Sequence, residues 1–365
     1  MILELEPTQF ISGIIVDFDG EPCPIRFDAT KSIRAVNFKQ IDVENRGPSE
    51  KGNVYEFVQA SNYSFIKLTF EQEPVRVNLF KKTLPPMERT EVQSMLRQKR
   101  IVFLGAARDC GDSIQETVKT VRRLSSYFSD SRFCIFENDS IDETLQRLES
   151  IGVEQNGWLE HVSESKLDDC YPERTERLAY VRNLLLQRAL SAYPSFDYIC
   201  VIDCDGIIGN SADHFNYSGF LSSFKYERVW DAVFPVTEDY YYDIWALRHE
   251  FICPYDYLDY SRSGDAVLGR DMIVAAASLT RQLHLKKMTG WLEVDSAFGG
   301  MGVYKLPSLR SCIYAGRQEE REVCEHVPLH QKMKSQGCRL YINPEFRVLG
   351  TLSEQRTATI REFVG

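Results

Sequence analysis

The chain has 365 residues, of which 43% are hydrophobic and 26% are charged, so it can bury the core of one large domain or two unequal ones and is not a disordered chain. Its 43 Lys and Arg against 53 Asp and Glu give a formal charge of -10, which argues against a general nucleic-acid binder. No apolar run approaches the roughly 18 residues of a membrane helix. Residues 1–7 lack the basic start of a signal peptide.

Ten cysteines are spread over the chain without a Cys-x-x-Cys pair, which disfavours zinc ribbons and thioredoxin-type redox chemistry. Cys134, Cys200 and Cys204 lie in apolar, strand-like runs, where the thiol acts as a small hydrophobic group. This placement predicts reduced thiols and a cytoplasmic location.

Residues 1–94 are predicted to form a small N-terminal antiparallel β domain of unknown role. Short runs rich in Val, Ile, Phe and Tyr alternate with turn formers, which is the pattern of such a domain. Pro85 and Pro86 stop regular structure and mark the expected boundary. The predicted strands are Phe10–Phe18, Ser32–Val43, Val54–Ala60, Phe65–Glu71 and Val75–Phe80.

Residues 95–365 are predicted to form a second domain in which strands alternate with helices. This alternation is typical of an α/β fold with a doubly wound, mostly parallel sheet. The longest predicted helix, Glu173–Ala192, carries apolar residues at helical spacing along one face. The other predicted elements are the strands Lys99–Ala106, Arg132–Phe136 and Tyr198–Ile202 and the helices Ser113–Phe128 and Ile141–Ser150.

Two carboxylates, Asp203 and Asp205, directly follow the apolar run 198–202. Because side chains alternate along a strand, both carboxylates should share one face while Cys204 points to the other. Ligands of open α/β sheets bind beyond the carboxyl ends of the strands. Paired carboxylates at that position suit Mg²⁺ or Mn²⁺ holding a diphosphate. The alternative is an acidic turn that closes the strand.

The same Asp-x-Asp-Gly pattern also opens phosphatases of the haloacid-dehalogenase type, and Asp17-Phe18-Asp19-Gly20 repeats it. That chemistry needs a nucleophilic Asp together with a Thr or Ser, a Lys and a later acidic pair. These partners do not follow either motif at a suitable spacing. Asp17 and Asp19 are therefore predicted to mark a hairpin turn in the β domain.

Polar residues also follow the two preceding strands. Asp139 could accept hydrogen bonds from a nucleotide base or ribose, and Ser140 with Glu143 has the spacing of a capping box for the next helix. A cap alone would also explain the segment. Upstream, Arg108 lies in the run 105–109 that ends the first strand of the same sheet, where a nucleotide would lie.

Three arginines, Arg174, Arg177 and Arg182, lie on the predicted helix that leads to the Asp-x-Asp strand. Arg174 and Arg177 are three residues apart and share a face of the helix. The planar guanidinium binds phosphate through two parallel hydrogen bonds. For Arg174 a solvated, charged helix face is the favoured interpretation.

With these motifs in order, residues from about 99 to 350 resemble a GT-A glycosyltransferase of the broad inverting family that carries an Asp-x-Asp motif. Residues 242–248 also resemble the Tyr-Asp-x-Trp segment of fungal capsule-associated α-1,3-mannosyltransferases. The first 94 residues lie outside the resemblance. The matching segments are Glu137–Thr144, Arg182-Asn183, Asp203–Asp205, Cys324–His326 and Leu329 with Lys332–Gly337.

The resemblance implies transfer of a sugar from a GDP- or UDP-sugar to a hydroxyl of a glycan or glycoconjugate. Mn²⁺ or Mg²⁺ would act as a Lewis acid on the leaving diphosphate. Asp205 is the first expected ligand, and Asp203 would reach the metal or the ribose. Arg182 would contact phosphate or hold the nucleotide loop. Asp139 would bind the nucleoside, and Arg108 belongs to the same expected nucleotide site.

His326 stands where inverting members of the resembled family carry an Asp that deprotonates the acceptor hydroxyl. Its ordinary pKa near neutrality suits a general base. It could equally be a third metal ligand, which is the preferred interpretation, and Glu325 or Asp295 would then be the carboxylate near the acceptor. His330, four residues further on, is expected on the surface of a helix.

Residues 291–302 contain three glycines, Gly299, Gly300 and Gly302, that could let the backbone approach a ligand closely. Trp291 offers a flat face for a sugar ring. The alternative is a turn between core segments. Trp245 and the run Tyr240–Tyr242 could likewise line an acceptor cleft or fill the core.

Two other functions stay open on the sequence alone. One is a phosphatase of the haloacid-dehalogenase type, and the other is a non-catalytic carbohydrate-binding protein that has kept the fold. Substitution of Asp205 separates an enzyme, which would lose turnover, from a metal-independent binder, which would keep its affinity.

Overall fold

The computed structural model describes residues 1–4, 11–19, 21–30, 38–41, 43–49, 52–61, 65–80, 87–154, 157–208, 211–227, 229–237, 240–250, 252–256, 283–284 and 291–348. The chain forms two compact units, residues 1–86 with 250–252 and residues 87–249 with 253–365. Pro85 and Pro86 of the expected boundary lie outside the described residues. Within the described ranges, no helix is both long enough and apolar enough to cross a membrane.

In its described residues, the smaller unit forms eight strands in two four-stranded antiparallel sheets. The strands are β1 (Ile2–Glu4), β2 (Ile11–Asp17), β3 (Ile25–Thr30), β4 (Lys39–Gln40), β5 (Val43–Ser49), β6 (Gly52–Ser61), β7 (Phe65–Phe70) and β8 (Arg76–Phe80). Their orders are β1-β7-β3-β4 and β5-β6-β2-β8. Val16 of β2 shares one buried cluster with Phe27 of β3 and Leu68 of β7, so the apolar faces of both sheets form a common core.

This unit confirms the predicted antiparallel β architecture but differs from the prediction in its connections. Asp17 and Asp19 do not mark a hairpin, because β2 and β3 belong to different sheets. Gly47 and Pro48, turn formers between two of the predicted strands, lie within β5, which pairs with β6 at the edge of its sheet. An edge strand tolerates proline because one side of the strand has no hydrogen-bonding neighbour. Residues 32–37 of the predicted strand Ser32–Val43 lie outside the described residues.

The larger unit is an α/β structure. Its strands are β9 (Arg100–Ala107), β10 (Asp130–Asn138), β11 (Leu159–Glu164), β12 (Tyr198–Asp203), β13 (Ala232–Thr237), β14 (Tyr240–Tyr241), β15 (Leu283–His284), β16 (Leu292–Val294), β17 (Met301–Lys305), β18 (Arg317–Gln318), β19 (Arg321–Glu322) and β20 (Leu340–Val348). Its helices are α1 (Arg89–Leu96), α2 (Gly111–Ser125), α3 (Thr144–Glu154), α4 (Leu167–Cys170), α5 (Arg174–Ala192), α6 (Tyr217–Ser222) and α7 (His326–Ser335).

Ten of these strands form one sheet, and β18 with β19 forms a separate pair. The sheet is parallel across β11-β10-β9-β12 and continues with β17, which is antiparallel to both β12 and β13. Strand β20 is parallel to β13 and antiparallel to β16. The predicted α/β class is therefore confirmed, and the antiparallel strands β13, β16 and β17 are additions to the predicted elements.

The parallel strands end together at one edge of the sheet. Asp203, the last residue of β12, lies beside Ala106 of β9, and Glu137 of β10 lies beside Ala107. Helix α5, which precedes β12, buries Val181, as its apolar spacing predicts. This register brings the loops after β9, β10 and β12 to the same place.

Candidate functional site

A cavity of about 450 Å³ lies at the carboxyl ends of β9, β10 and β12. Its walls come from the strand ends, from α4 and from the first turns of α5. Four carboxylates and three guanidinium groups are among its lining residues, so the cavity can hold a cation and an anion side by side. The lining residues are Ala106, Ala107, Arg108, Asp109, Asn138, Asp168, Arg174, Arg177, Leu178, Asp203, Cys204 and Asp205.

Asp203 and Asp205, which the strand-end motif identifies, both line this cavity. The side chain of Cys204 between them is buried, in agreement with alternation along the strand. Asp205 is reached from the cavity, yet the protein around it removes enough water to raise its pKa to about 6, and the negative charge on Asp203 adds to the rise. A cation placed between the two carboxylates would relieve this repulsion.

Arg182 lies behind Asp203 and is only 3% exposed. Its Nη2 donates to Asp203 Oδ1 at 2.7 Å, and its Nε donates to Glu325 Oε1 at 3.0 Å. Burial alone would lower the pKa of Arg182, but the charges of Asp203 and Glu325 outweigh burial and raise it. Arg182 thus fixes the position of the Asp203 carboxylate. Arg182 is not among the described residues that line the cavity, and its expected role, to contact phosphate or to hold the nucleotide loop, stays a prediction.

His326 begins α7 and is 1% exposed. Its ring stacks on Phe298 with centroids 3.8 Å apart, and its Nε2 lies 3.6 Å from Glu325 Oε1. Neither ring nitrogen has a hydrogen-bond partner among the residues that the structure describes. Burial, with the nearby charge of Arg182, holds the pKa of His326 well below its ordinary value, so the ring is neutral.

The two carboxylates expected near the acceptor have different surroundings. Glu325 is 3% exposed and its charge is compensated by Arg182. The side chain of Asp295 is 53% exposed, and its Oδ1 lies 3.7 Å from Lys334 Nζ. Asp295 is therefore the more accessible of the two.

The expected three-ligand metal set is not assembled. In the described part of the chain, no three His, Cys, Asp or Glu side chains are grouped so that they could hold a metal ion. Arg182 bonds to both Asp203 and Glu325, and His326 lies against Glu325. Asp203 and Asp205 still offer two carboxylates, and Mg²⁺-type sites often combine one or two carboxylates with ligand phosphates.

Sequence reasoning missed Asp168, which lies between two cavity arginines. Arg108 donates to both carboxylate oxygens of Asp168, at 2.8 Å from Nη1 and 2.6 Å from Nη2, and Arg177 Nε lies 2.9 Å from Oδ1. Asp168 belongs to the four-residue α4, which has too few residues to show a periodic pattern. Arg174 is exposed, as expected, and its guanidinium lies over the ring of Trp245, 5.2 Å from the ring centroid, at the rim of the cavity.

Asp139 holds a neighbouring loop in place. Its carboxylate accepts hydrogen bonds from the backbone N–H groups of Lys166, Leu167 and Asp168, and its own φ is +50°. Its carboxylate thereby orders the loop that presents Asp168. The neighbouring Asn138, at the end of β10, is the residue of this segment that lines the cavity.

The predicted capping box of Ser140 and Glu143 is wrong. Helix α3 begins at Thr144, and the Asp142 carboxylate accepts the backbone N–H of Thr144 at 2.9 Å. The Ser140 hydroxyl instead accepts the N–H of Asp109 at 3.1 Å. The bond to Ser140 ties the loop after β10 to the loop after β9. Ser140 therefore serves the neighbouring loop instead of capping α3.

His330 is buried, so its expected place on a helix surface is wrong. Its Nδ1 lies 2.8 Å from Ser296 Oγ and its Nε2 lies 2.9 Å from Tyr304 Oη. Burial lowers the pKa of His330 to about 3. The face of α7 that carries His330 packs toward the sheet, which spacing along one short helix cannot reveal.

The glycines of residues 291–302 approach protein rather than the cavity. Gly300 has φ +84°, and a Cβ there would lie 2.6 Å from the side chain of Ile207. Gly302 faces Phe234 and Tyr304 within the sheet. Trp291 packs edge-on against Tyr226. The turn between core segments is the alternative that fits these contacts.

All ten cysteines lie in the described residues, and none of them is in a disulfide. Cys204 and Cys200 are fully buried, and burial raises the pKa of each thiol well above its ordinary value. These thiols therefore act as core side chains.

No protein-family model matches the chain, and no curated protein matches it. Solved structures of glycosyltransferases do match at low sequence identity. A mannosyltransferase from Pyrobaculum calidifontis in complex with GDP-Man and Mn²⁺ is 12% identical with a TM-score of 0.42, over 71% of this chain and 58% of that one. The chain thus spans less than two thirds of that protein.

Two further solved structures match at similar levels. Glucosyl-3-phosphoglycerate synthase from Mycobacterium tuberculosis, in complex with Mn²⁺, UDP and glucosyl-3-phosphoglycerate, is 12% identical with a TM-score of 0.39, over 78% of this chain and 84% of that one. S. aureus TarS is 10% identical with a TM-score of 0.37, over 68% and 59%. At these values the substrates of those proteins say nothing about this chain, whose function rests on its own cavity residues.

Proposed function

We propose that the chain is a metal-dependent glycosyltransferase that uses a nucleotide-sugar donor, GDP- or UDP-linked, and a hydroxyl acceptor on a glycan or glycoconjugate. The observation that carries the proposal is the juxtaposition of Asp203 and Asp205 with Arg108, Arg174 and Arg177 in one cavity at the ends of parallel strands. Such an arrangement suits a nucleoside diphosphate together with a divalent cation.

Asp203 and Asp205 would hold Mn²⁺ or Mg²⁺, with ligand oxygens completing its coordination. The two carboxylates fit a hard divalent cation, and the charge of Asp203 adds to the burial that raises the pKa of Asp205. When bound, the cation would offset charge that develops on the leaving diphosphate. Arg182 would keep Asp203 oriented through their 2.7 Å ion pair.

The arginines would supply the remaining stabilisation of the diphosphate. Arg108 and Arg177 line one wall of the cavity, and Arg174 lies at its rim over Trp245. Guanidinium groups fixed before the reaction stabilise developing negative charge without reorganising. Asp139 would act on this wall through the loop 166–168 rather than by direct contact with the nucleoside.

The candidates for the base that removes the proton of the acceptor hydroxyl are Glu325, Asp295 and neutral His326. Glu325 is paired with Arg182, whereas Asp295 is accessible to solvent. His326 is proposed as a buried neighbour of Glu325 that is not a metal ligand, because no third ligand joins Asp203 and Asp205 among the described residues.

The experiment is a thermal-shift panel of UDP- and GDP-sugars, each with and without Mn²⁺. A donor at about 100 times its dissociation constant should stabilise the protein by roughly 2.7 kcal/mol. Asp205→Asn should abolish the Mn²⁺-dependent shift. Asp213→Asn, the same change at a side chain that is 89% exposed, is the matched control and should keep it.

The alternative functions predict different results for the same protein variants. Release of inorganic phosphate from an aryl phosphate would indicate a phosphatase. Binding of a sugar that survives Asp205→Asn and needs no metal would indicate a carbohydrate-binding protein. Absence of any nucleotide-dependent shift in the wild type would overturn the proposed glycosyltransferase.

A further inference from the structure

We propose that Arg108 and Arg177 form a phosphate-binding pair and that Asp168 is an internal counter-anion, which a phosphate group of the ligand displaces. This inference deepens the proposed function and rests on it for the identity of the ligand. It assigns a role to Asp168, a cavity carboxylate that neither the Asp-x-Asp motif nor its supporting ion pair uses.

The geometry of the three side chains is that of an occupied anion site. Arg108 presents Nη1 and Nη2 to the two oxygens of Asp168 at 2.8 and 2.6 Å, which is the bidentate arrangement that guanidinium also forms with phosphate. Arg177 adds a second guanidinium at 2.9 Å from Oδ1. All three residues line the cavity that also contains Asp203 and Asp205.

Arg177 is held in place independently of Asp168. Its Nη1 donates to the backbone carbonyls of Tyr171 and Pro172 at 2.6 and 2.7 Å, and its side chain is 17% exposed. Arg108 directly follows β9, so its backbone is anchored to the sheet. The pair would therefore keep its position when the carboxylate leaves.

Asp168 can leave at little cost. Its side chain is 45% exposed, so the carboxylate that rotates away from the arginines is already partly hydrated and is not a buried one. Its backbone N–H is held by Asp139, which keeps α4 in place while the side chain turns. A phosphate would bring more negative charge to the two arginines than the single carboxylate does.

Two sources could supply the phosphate, the diphosphate of the donor or an anionic group on the acceptor. Titration calorimetry with inorganic pyrophosphate tests the arginine pair itself. Titration with UDP and GDP, with and without Mn²⁺, tests the donor. Titration of inorganic phosphate into protein saturated with UDP and Mn²⁺ tests an acceptor anion.

Asp168→Asn and Asp168→Ala should tighten pyrophosphate binding by about two- to fivefold, the size expected when an exposed competing ion pair is removed. Asp168→Glu keeps the charge and should not tighten it. Arg108→Gln and Arg177→Gln should each weaken it by about tenfold, as for a lost charge-assisted hydrogen bond. Asp213→Asn should change nothing, and melting temperatures confirm that each variant is folded.

Whether Asp168→Asn tightens or weakens binding decides the proposal. Tighter binding of UDP or GDP in Asp168→Asn supports displacement by the donor, and tighter binding of inorganic phosphate to the UDP-loaded protein supports displacement by an acceptor anion. Weaker binding in every titration would make Asp168 a positioning residue and overturn the displacement, as would unchanged binding. Failure of the wild type to bind UDP or GDP while it binds pyrophosphate would overturn the proposed function and leave the arginine pair standing.

Discussion

Arg182 and Asp203 form an ion pair of 2.7 Å in which the arginine side chain is 3% exposed and the carboxylate opens onto the cavity. The same guanidinium pairs with Glu325, whose Oε1 lies 3.0 Å from Arg182 Nε. One arginine therefore fixes a cavity carboxylate and ties the end of β12 to the start of α7. The remaining guanidinium nitrogen, Nη1, has no hydrogen-bond partner in the described chain.

Replacing Arg182 with Met should destabilise the protein by about 3–5 kcal/mol, because two carboxylates lose their buried partner. Arg188→Met on the same helix is the matched control. Arg188 pairs with Glu160 but its side chain is 54% exposed, so the change should cost about 1 kcal/mol or less. Urea unfolding of both variants measures the difference. Equal losses in the free energy of unfolding would show that the buried Arg182 pair stabilises the protein no more than the exposed Arg188 pair.

His330 should make the stability of the protein depend on pH. In the unfolded chain a histidine binds a proton below about pH 6.5, but the pKa of folded His330 is about 3, so the unfolded state gains protons first as the pH falls. Stability is thus lost from pH 6.5 downward, by about 2 kcal/mol at pH 5. The raised pKa of Asp205 acts in the opposite direction between about pH 4 and 6.

His330→Gln isolates this contribution, because Asp205 and His326 are the same in both proteins. The variant should be less stable at pH 7, since Ser296 and Tyr304 lose their partner. The gap to the wild type should shrink by about 2 kcal/mol at pH 5. Chemical unfolding at the two pH values gives the gap, and a gap independent of pH would contradict a neutral, buried His330.

The role of His326 is tested by His326→Ala. Since the ring lies against Glu325 and Phe298 and joins no three-ligand group among the described residues, the affinity for Mn²⁺ in the presence of nucleotide should stay unchanged. A general base acts only on the acceptor, and its loss would lower turnover by about 10²- to 10⁴-fold. Calorimetric titration with Mn²⁺ is the measurement. A parallel loss of metal and donor affinity would restore the metal-ligand role.

Residues 1–86 should be separable from the larger unit. The sandwich has its own core around Val16 and Phe27, and α1 buries Val92 and Leu96 in the larger unit. A chain truncated to begin at Met87 should therefore stay soluble and bind the nucleotide donor with unchanged affinity. Insolubility, or loss of donor binding in soluble protein, would show that the β strands complete the catalytic core.

Local signals in the sequence predict the centre of the site. Asp203 and Asp205 follow an apolar run without interruption, and strand alternation with the rule for ligand position places them at the cavity. Arg177 and Arg174 are recognisable by helical spacing before that strand. These inferences need only neighbours within a few residues.

Long-range pairings decide the rest, and no local pattern encodes them. Asp168 meets Arg108 across 60 residues, and Asp139 reaches the loop at Lys166 across 27. His330 is buried because α7 turns that face toward Tyr304, which depends on how the helix docks. The strands after residue 290 join the sheet by non-local and mostly antiparallel pairing, which periodicity does not reveal.

The most direct test of the central claim is the release of nucleoside diphosphate from the nucleotide sugar that binds in the thermal-shift panel. Wild-type protein with Mn²⁺ should release the diphosphate, faster when an acceptor is present, and Asp205→Asn should release it at the rate of the protein-free control while Asp213→Asn behaves like the wild type. Release by Asp205→Asn at the wild-type rate would contradict a glycosyltransferase that works through this cavity.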